Sequence, residues 1–126
     1  MSSRQRGFTL VEILIALVIL AIALSAAGRA TRLSIDTARE VRIKTFAQWV
    51  AQNRAAELQA APIWPAPGES RLNVPMAEMS FDVRQTVSET ANSAFRRVAI
   101  EVRSEGQPDA RATLVTYLAR TPRALP

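Results

Sequence analysis

The chain has 126 residues, enough for one small domain with an appendage but not for two independent cores. It contains no cysteine and no histidine, which excludes disulfides, thiol nucleophiles and histidine-based acid–base or zinc chemistry. The formal charge is +5, but the arginines are spread from Arg4 to Arg123 and mostly alternate with acids, so we expect no nucleic-acid interface.

The first predicted element is a short basic leader, residues 1–7, which carries Arg4 and Arg6 and no acid. Positive charge ahead of an apolar segment favours a cytoplasmic amino terminus. Arg29 and Arg32 follow that segment closely, however. The charge distribution therefore favours this orientation without deciding it.

Residues 8–28 form an apolar run, FTLVEILIALVILAIALSAAG, with Glu12 as its single ionisable side chain. A hydrocarbon core of about 30 Å is crossed by about 20 helical residues at 1.5 Å each, so the run predicts a transmembrane helix. Residues 25–27 resemble a signal-peptide cleavage site, but the run is longer than the apolar part of such a signal and the helical pattern continues past Gly28. We expect the run to stay in the mature protein.

Glu12 needs an explanation, because a charged side chain within a bilayer costs about 2.5–3.5 kcal/mol on insertion scales. One explanation is that its carboxylate reaches the nearby membrane surface. The other is that it meets a cation inside the membrane. Cleavage between Gly7 and Phe8 would create such a cation, since the new amino group of Phe8 on one subunit can be offered to Glu12 of the next.

Six consecutive positions at the start of the apolar run match a known signal. They read Gly7-Phe8-Thr9-Leu10-Val11-Glu12 and follow the basic leader. This arrangement resembles the type III signal of type IV pilins and pseudopilins. The resemblance implies that a prepilin peptidase cleaves after Gly7 and methylates Phe8, that Glu12 sets the axial register of subunit docking, and that the apolar helix is first an inner-membrane anchor and later the filament core.

Residues 29–61 contain no proline or glycine and predict an amphipathic helix that continues the anchor, so that one helix runs from Phe8 to Ala61 and ends at Pro62. Asn53 and Glu57 on it are candidate contacts with partner subunits, or part of a solvated face. An apolar stripe recurs at three- and four-residue steps; it comprises Ile43, Phe46, Ala47, Val50, Arg54, Leu58 and Ala61.

Residues 62–126 predict a small antiparallel β-sheet domain packed on residues 43–61 of the helix. Residues 62–68 predict a turn or loop, and we expect the terminal residues 121–126 to be frayed. Trp49 and Trp64 are interpreted as aromatics that seat the domain on the helix and not as ligand-stacking residues. Apolar and polar residues alternate in three segments, with a weaker fourth; these are 81–87, 98–103, 114–118 and, more weakly, 71–74.

The predicted fold class is therefore α+β and pilin-like, with a long helix, half transmembrane and half amphipathic, packed against a small antiparallel sheet. Within the pilin-like group the chain resembles the minor pseudopilin I family of type II secretion systems, through residues 49–58 (WVAQNRAAEL), Trp64-Pro65 and Gly68. The resemblance implies assembly with other minor pseudopilins and the major pseudopilin into a tip that starts pseudopilus growth and supports export of folded proteins. It also implies a single-pass inner-membrane protein with a periplasmic domain.

We expect no catalytic, cofactor-binding or metal site, because the single lysine, Lys44, lies on the predicted helix and the acids are scattered. Two other functions fit parts of the sequence. One is a minor pilin of a type IV pilus or DNA-uptake machine. The other is a single-pass anchored periplasmic binding module, which would keep residues 1–7.

Overall fold

The computed structural model describes residues 7–120, so the leader residues 1–6 and the predicted frayed end, residues 121–126, lie outside the described part. One α-helix, α1 (Leu10–Ala60), is followed by four strands: β1 (Gly68–Met76), β2 (Met79–Glu89), β3 (Phe95–Ser104) and β4 (Ala110–Ala119). The chain divides into two compact units between Arg39 and Glu40. α1 belongs to both units, and each is described by itself below.

Local sequence features set both ends of the helix, Thr9 at the start and Pro62 at the end. Its first turn follows Thr9, whose carbonyl accepts a hydrogen bond from the Ile13 amide at 3.2 Å. Ala61 still donates its amide to the Glu57 carbonyl, at 2.9 Å, and Pro62 then stops the pattern because it has no amide hydrogen and clashes with the preceding turn. The helix bounds differ from the predicted ones by two residues at the start and one at the end.

The four strands form one antiparallel sheet in the order β1-β2-β3-β4, so each strand pairs with the next along the chain. The first strand is longer than the segment 71–74 indicates, and it starts at Gly68, which was expected to lie in the preceding loop. Gly68 and Pro75 both disfavour a strand in sequence-based reasoning. Because β1 is an edge strand, Pro75 can lie in it without removing a needed hydrogen bond.

The hairpin between β1 and β2 has a two-residue loop, Ala77-Glu78, closed by the pairing of Met76 with Met79. Both loop residues have positive φ, 51° for Ala77 and 62° for Glu78. Positive φ at both positions is the mark of a type I′ turn, whose twist matches that of the flanking strands. Asn-Gly is the preferred sequence for this turn, so Ala77 and Glu78 hold it at a cost in backbone strain.

The core of the second unit lies between the sheet and residues 43–58 of α1. On β2 and β3 the alternate positions predicted to be apolar are buried, with Phe81, Val98 and Ile100 fully so. The α+β, pilin-like architecture is therefore confirmed. On the helix, the buried face toward the sheet is centred on small residues, most of them four apart. These residues are Ala47, Val50, Ala51 and Ala55.

Two details of the predicted stripe are wrong. Ala51 and Ala55 are buried although the stripe omits them, and Ala61 is exposed although the stripe includes it. Small side chains allow a helix and a sheet to approach closely, so the sheet packs over the alanines. Ala61 lies after the last residue of α1, where the chain no longer follows the helical repeat.

Arg54 is a polar member of the helix face that meets the sheet. Its Nε donates a hydrogen bond to Gln85 Oε1 at 2.8 Å, and its Nη1 contacts Glu57 Oε2 at 3.0 Å. Gln85 is 6% exposed and is the buried polar side chain of the described core. Its position on β2 puts it on the same face as the apolar residues, and Arg54 supplies the partner that a buried amide requires.

A β-bulge between β3 and β4 redirects one side chain toward the helix. Val102 pairs with Ala112 and Arg103 with Ala110, which leaves Arg111 as the extra residue. Arg111 Nη1 donates to Glu40 Oε2 at 2.5 Å. Bulges commonly serve to re-aim a side chain in this way, and this one ties β4 to the first helical turn of the second unit.

Candidate assembly site

The peptide bond between Gly7 and Phe8 lies before the first helical residue, and both residues are exposed. The Phe8 side chain is 85% exposed, and a Cβ added to Gly7 would meet no atom of the described residues within 4 Å. The fold of the chain therefore does not itself require glycine at position 7.

Glu12 and Thr9 form a capping box at the start of α1. The Glu12 amide donates to Thr9 Oγ1 at 3.2 Å, and the Thr9 amide donates to Glu12 Oε2 at 3.1 Å. Two amides that have no partner inside the helix are thereby satisfied. This role of Glu12 was not among those predicted from the sequence, although the T-x-x-E spacing that indicates a capping box is present.

The capping box fixes the position of the Glu12 carboxylate. Oε2 is engaged by the Thr9 amide, whereas Oε1 has no hydrogen bond to residues 7–120. Glu12 is exposed on the helix surface. In the isolated chain one carboxylate oxygen is therefore held by the subunit's own backbone and the other is available to a donor from outside.

The helix that follows Glu12 is apolar on all sides through the predicted span. Its hydropathy and length are sufficient to cross a membrane, with none of the most apolar 18-residue window buried within the protein. Its one hydroxyl, on Ser25, donates to the Ala21 carbonyl at 2.7 Å and so needs no outside partner. A helix that is apolar all round needs lipid or other helices to cover it.

The candidate partner contacts on the helix, Asn53 and Glu57, are both exposed. Glu57 is already engaged, because its carboxylate pairs with Arg54 at 3.0 Å. Asn53 makes no side-chain hydrogen bond to the described residues. A role for either residue in binding a partner stays a prediction.

The interpretation of Trp49 as a residue that seats the domain on the helix is wrong. Its side chain is 51% exposed and contacts Phe46 edge-on, with the ring centroids 5.3 Å apart. Trp49 borders a shallow groove of about 360 Å³, which Thr45 and Gln48 also line. The residue lies beside the apolar stripe and not on it, because the sheet packs one residue farther round the helix, over Val50 and Ala51.

Trp64, in contrast, does pack against the core, as predicted. Two guanidinium groups lie over its ring, that of Arg96 at 5.6 Å and that of Arg120 at 5.5 Å from the centroid. Cations over the face of an indole are favourable contacts of about 0.5–1 kcal/mol at partly exposed sites. These contacts connect the segment after the helix to the ends of β3 and β4.

The outer face of the sheet carries an ion-pair network centred on Glu101. Arg103 pairs with Glu101 along β3, and Arg84 reaches Glu101 from β2 at 3.1 Å. The hydrogen bond from Arg103, assisted by that from Arg84, lowers the pKa of the Glu101 carboxyl below its ordinary value, against the opposing effect of partial burial. Within residues 7–120 no group of three acidic side chains lies close enough to hold a metal ion.

A long helix whose first half is exposed and apolar enough to span a membrane, and whose second half packs on a four-stranded antiparallel sheet, defines a membrane-anchored subunit of the pilin-like class. Residues 2–28 match the family described as the prokaryotic N-terminal methylation motif. Residues 41–119 match the family described as type II secretion system (T2SS), protein I. The first match covers the predicted leader and span, and the second covers the helix–sheet unit.

Curated relatives agree with both matches. The type II secretion system protein I of Pseudomonas aeruginosa is 35% identical over 94% of this chain and 98% of its own length. The protein of the same name from Pectobacterium carotovorum is 32% identical over 93% of this chain and 98% of its own length. That from Klebsiella pneumoniae is 33% identical over 79% of this chain and 83% of its own length. The chain belongs to the type II secretion system protein I family, and it is a minor pseudopilin. Members of the family are structural components of the secretion system.

Proposed function

We propose that this minor pseudopilin is processed after Gly7 by a prepilin peptidase, which also methylates the amino group of Phe8. The mature subunit then assembles with other minor pseudopilins into the tip that starts pseudopilus growth, and with the major pseudopilin as the filament extends. This assembly supports export of folded proteins across the outer membrane. The helix anchors the subunit in the inner membrane, with its amino end cytoplasmic and its sheet domain periplasmic.

The observation that carries the proposal is the geometry of the capping box. The carboxylate of Glu12 is held in place by the Thr9 amide through Oε2, and Oε1 has no hydrogen bond to residues 7–120. A charged amino group from another subunit would find an oriented acceptor there, in lipid, where an ion pair is weakly screened. The exposure of Gly7 and Phe8 supports access for the peptidase.

Two substitutions of Glu12 separate its charge from its capping role. Glu12→Ala removes both, whereas Glu12→Gln keeps an amide oxygen that can complete the capping box and removes only the charge. We expect both variants to be cleaved after Gly7. We also expect the affinity of both variants for partner pseudopilins to fall by roughly a hundredfold or more, because removing one member of a buried ion pair costs about 3–5 kcal/mol. Co-purification with those partners should fall accordingly.

The measurement is co-purification from membranes of the native host together with a secretion assay. Assembly and secretion by Glu12→Gln at the wild-type level would refute docking through the carboxylate charge. In that case the residue would serve the helix of its own subunit alone. Impaired cleavage in either variant would instead place Glu12 in peptidase recognition and would also contradict the proposed role.

Intact-mass measurement of the membrane-extracted protein tests the processing step. We expect a mass lacking residues 1–7 and increased by one methyl group. A Gly7→Ala variant, which this chain's own fold tolerates because the added Cβ meets no atom, is expected to keep the leader. Leader retention in the wild-type protein from its native host would overturn the whole assignment, because no Phe8 amino group would exist.

A further inference from the structure

The function proposed above leaves one feature of the first unit unused, namely the arginines that follow the apolar span. Arg29 and Arg32 come directly after Gly28, and Arg39 follows on the same helix. Residues three apart share one side of a helix, so Arg29 and Arg32 present their guanidinium groups together. All three arginines are exposed.

These arginines are not neutralised by the protein itself. Asp36 lies within one turn of both Arg32 and Arg39, yet among residues 7–120 none of the three arginines makes an ion pair with a carboxylate. Basic residues on an exposed helix usually mix with acids to give a solvated face. Here no acid lies between Glu12 and Asp36, so the two cations next to the span have an acidic neighbour only on the side away from the span.

The spacing along the helix sets the depth of each arginine. At 1.5 Å per residue, Arg32 lies about 6 Å beyond Gly28 and Arg39 about 16 Å beyond it. The polar headgroup layer of one leaflet is about 5–7 Å thick. Helical side chains also lean toward the amino end, which brings the guanidinium of Arg32 back toward the membrane. Arg29 and Arg32 therefore fall in the headgroup layer, and Arg39 falls outside it.

We propose that Arg29 and Arg32 form a binding site for the phosphate groups of anionic phospholipids in the leaflet that the span reaches at Gly28. Each guanidinium offers paired donors that match phosphate oxygens, and the planar group loses little hydration on binding. The ligand is the lipid headgroup and not free phosphate, because the adjoining apolar helix holds the acyl chains of the same lipid. The site fixes the depth of the subunit before assembly.

This inference rests on the membrane anchorage proposed above but not on docking through Glu12. Loss of lipid binding with normal assembly would overturn the site alone. Loss of assembly in the Glu12 variants with normal lipid binding would overturn the docking role alone. The two failures are therefore distinguishable.

The test is native mass spectrometry of the full chain in detergent, with phosphatidylglycerol or phosphatidylcholine of identical acyl chains. We expect the wild-type protein to retain phosphatidylglycerol in preference to phosphatidylcholine. In the double variant Arg29→Gln/Arg32→Gln, the ratio of phosphatidylglycerol to phosphatidylcholine retained should fall roughly thirtyfold. This is the effect expected from removing the attraction of two basic residues to anionic lipid. Arg39→Gln is the matched control, with the same chemistry outside the headgroup layer, and should keep the preference.

A second double variant, Arg29→Lys/Arg32→Lys, guards against misfolding, since it keeps the charge and should retain most of the preference. Equal retention of the two lipids by the wild-type protein would overturn the proposal. So would a preference that survives Arg29→Gln/Arg32→Gln, or one that Arg39→Gln removes to the same extent. Binding of inorganic phosphate in the absence of lipid, lost in the same double variant, would show a free-phosphate site and would also overturn it.

Discussion

The two units of the chain use one continuous helix in opposite ways. Among residues 7–39 the large apolar side chains are roughly half exposed or more, and none of the residues in that range is buried by the protein. After Glu40 the same helix buries one face, through residues such as Ala47 and Val50, against a sheet. The first unit therefore depends on lipid or on other subunits for its stability, whereas the second unit contains a core of its own.

This difference shows why apolar content alone does not locate a core. The most apolar part of the chain contributes nothing to the buried cluster, which is built from Phe81, aliphatic side chains and alanines of a more polar region. Matched substitutions in the two units can measure the contrast. In each case the same chemical change is made once in the span and once in the core.

The largest expected effect comes from removing a buried isoleucine. Ile100 is fully buried between sheet and helix, so Ile100→Ala should lower the free energy of unfolding of the domain by about 2–5 kcal/mol. Ile19→Ala removes the same atoms from an exposed position in the span and should change it by less than about 0.5 kcal/mol. Denaturant unfolding of the full chain in detergent, followed by near-ultraviolet circular dichroism, measures both. Similar losses would contradict the contrast.

A second pair of variants tests the close approach of helix and sheet. Ala51 is fully buried at that contact, so Ala51→Leu should destabilise the domain by about 1–3 kcal/mol through overpacking. Ala26→Leu makes the same addition on the exposed span and should leave the domain unchanged. The melting temperature of the domain, read from the same signal, is the measurement. An unchanged melting temperature for Ala51→Leu would mean that the helix has room to move away from the sheet.

The hairpin between β1 and β2 offers a change in the stabilising direction. Replacing Ala77-Glu78 by Asn-Gly supplies residues that accept positive φ, and it should raise the free energy of unfolding by about 1 kcal/mol. Replacement by Val-Val, which resists positive φ, is the opposite control and should destabilise. The melting temperatures of both variants, compared with that of the wild-type protein, measure these effects. No gain from Asn-Gly would show that the loop is not under strain.

The smallest expected effect is that of pH on the outer face. The pKa of Glu101 is lowered in the folded state, chiefly by the hydrogen bond from Arg103, so the ion pair stabilises the fold at pH values above the ordinary pKa of 4.5. That contribution is lost as the pH falls through the lower folded pKa. Because the network is partly exposed, Glu101→Gln should cost less than about 1 kcal/mol at neutral pH. The loss should shrink in acid, and an equal loss at both pH values would contradict the assignment.

Most of the fold could be predicted because its signals are periodic. Alternation over β2 and β3 identifies the buried positions, including Phe81 and Ile100. The absence of proline and glycine from residues 29–61 indicates that the anchor helix continues to Pro62. The exact face of the helix was harder. A three- and four-residue repeat is compatible with adjacent faces, and side-chain size, not periodicity, places the sheet over Ala51 and leaves Trp49 exposed.

The candidate site is less predictable for a physical reason. Gly7 and Glu12 are identified by a motif, but the roles proposed for them depend on other molecules, whose surfaces cannot be derived from this sequence. What the structure adds is local. Thr9 holds one oxygen of the Glu12 carboxylate, a contact that the T-x-x-E spacing would have predicted had the helix start been placed after Thr9.

The contact between Arg54 and Gln85 limits how the helix can turn about its own axis. Apolar surfaces slide over one another with little penalty, but a rotation by one residue, about 100°, would withdraw Arg54 and leave the Gln85 amide without a partner in the interior. Together with the contact between Arg111 and Glu40, this polar pair selects one azimuth for the helix on the sheet. At that azimuth Trp49 and Asn53 lie on the exposed side of the helix, away from the sheet.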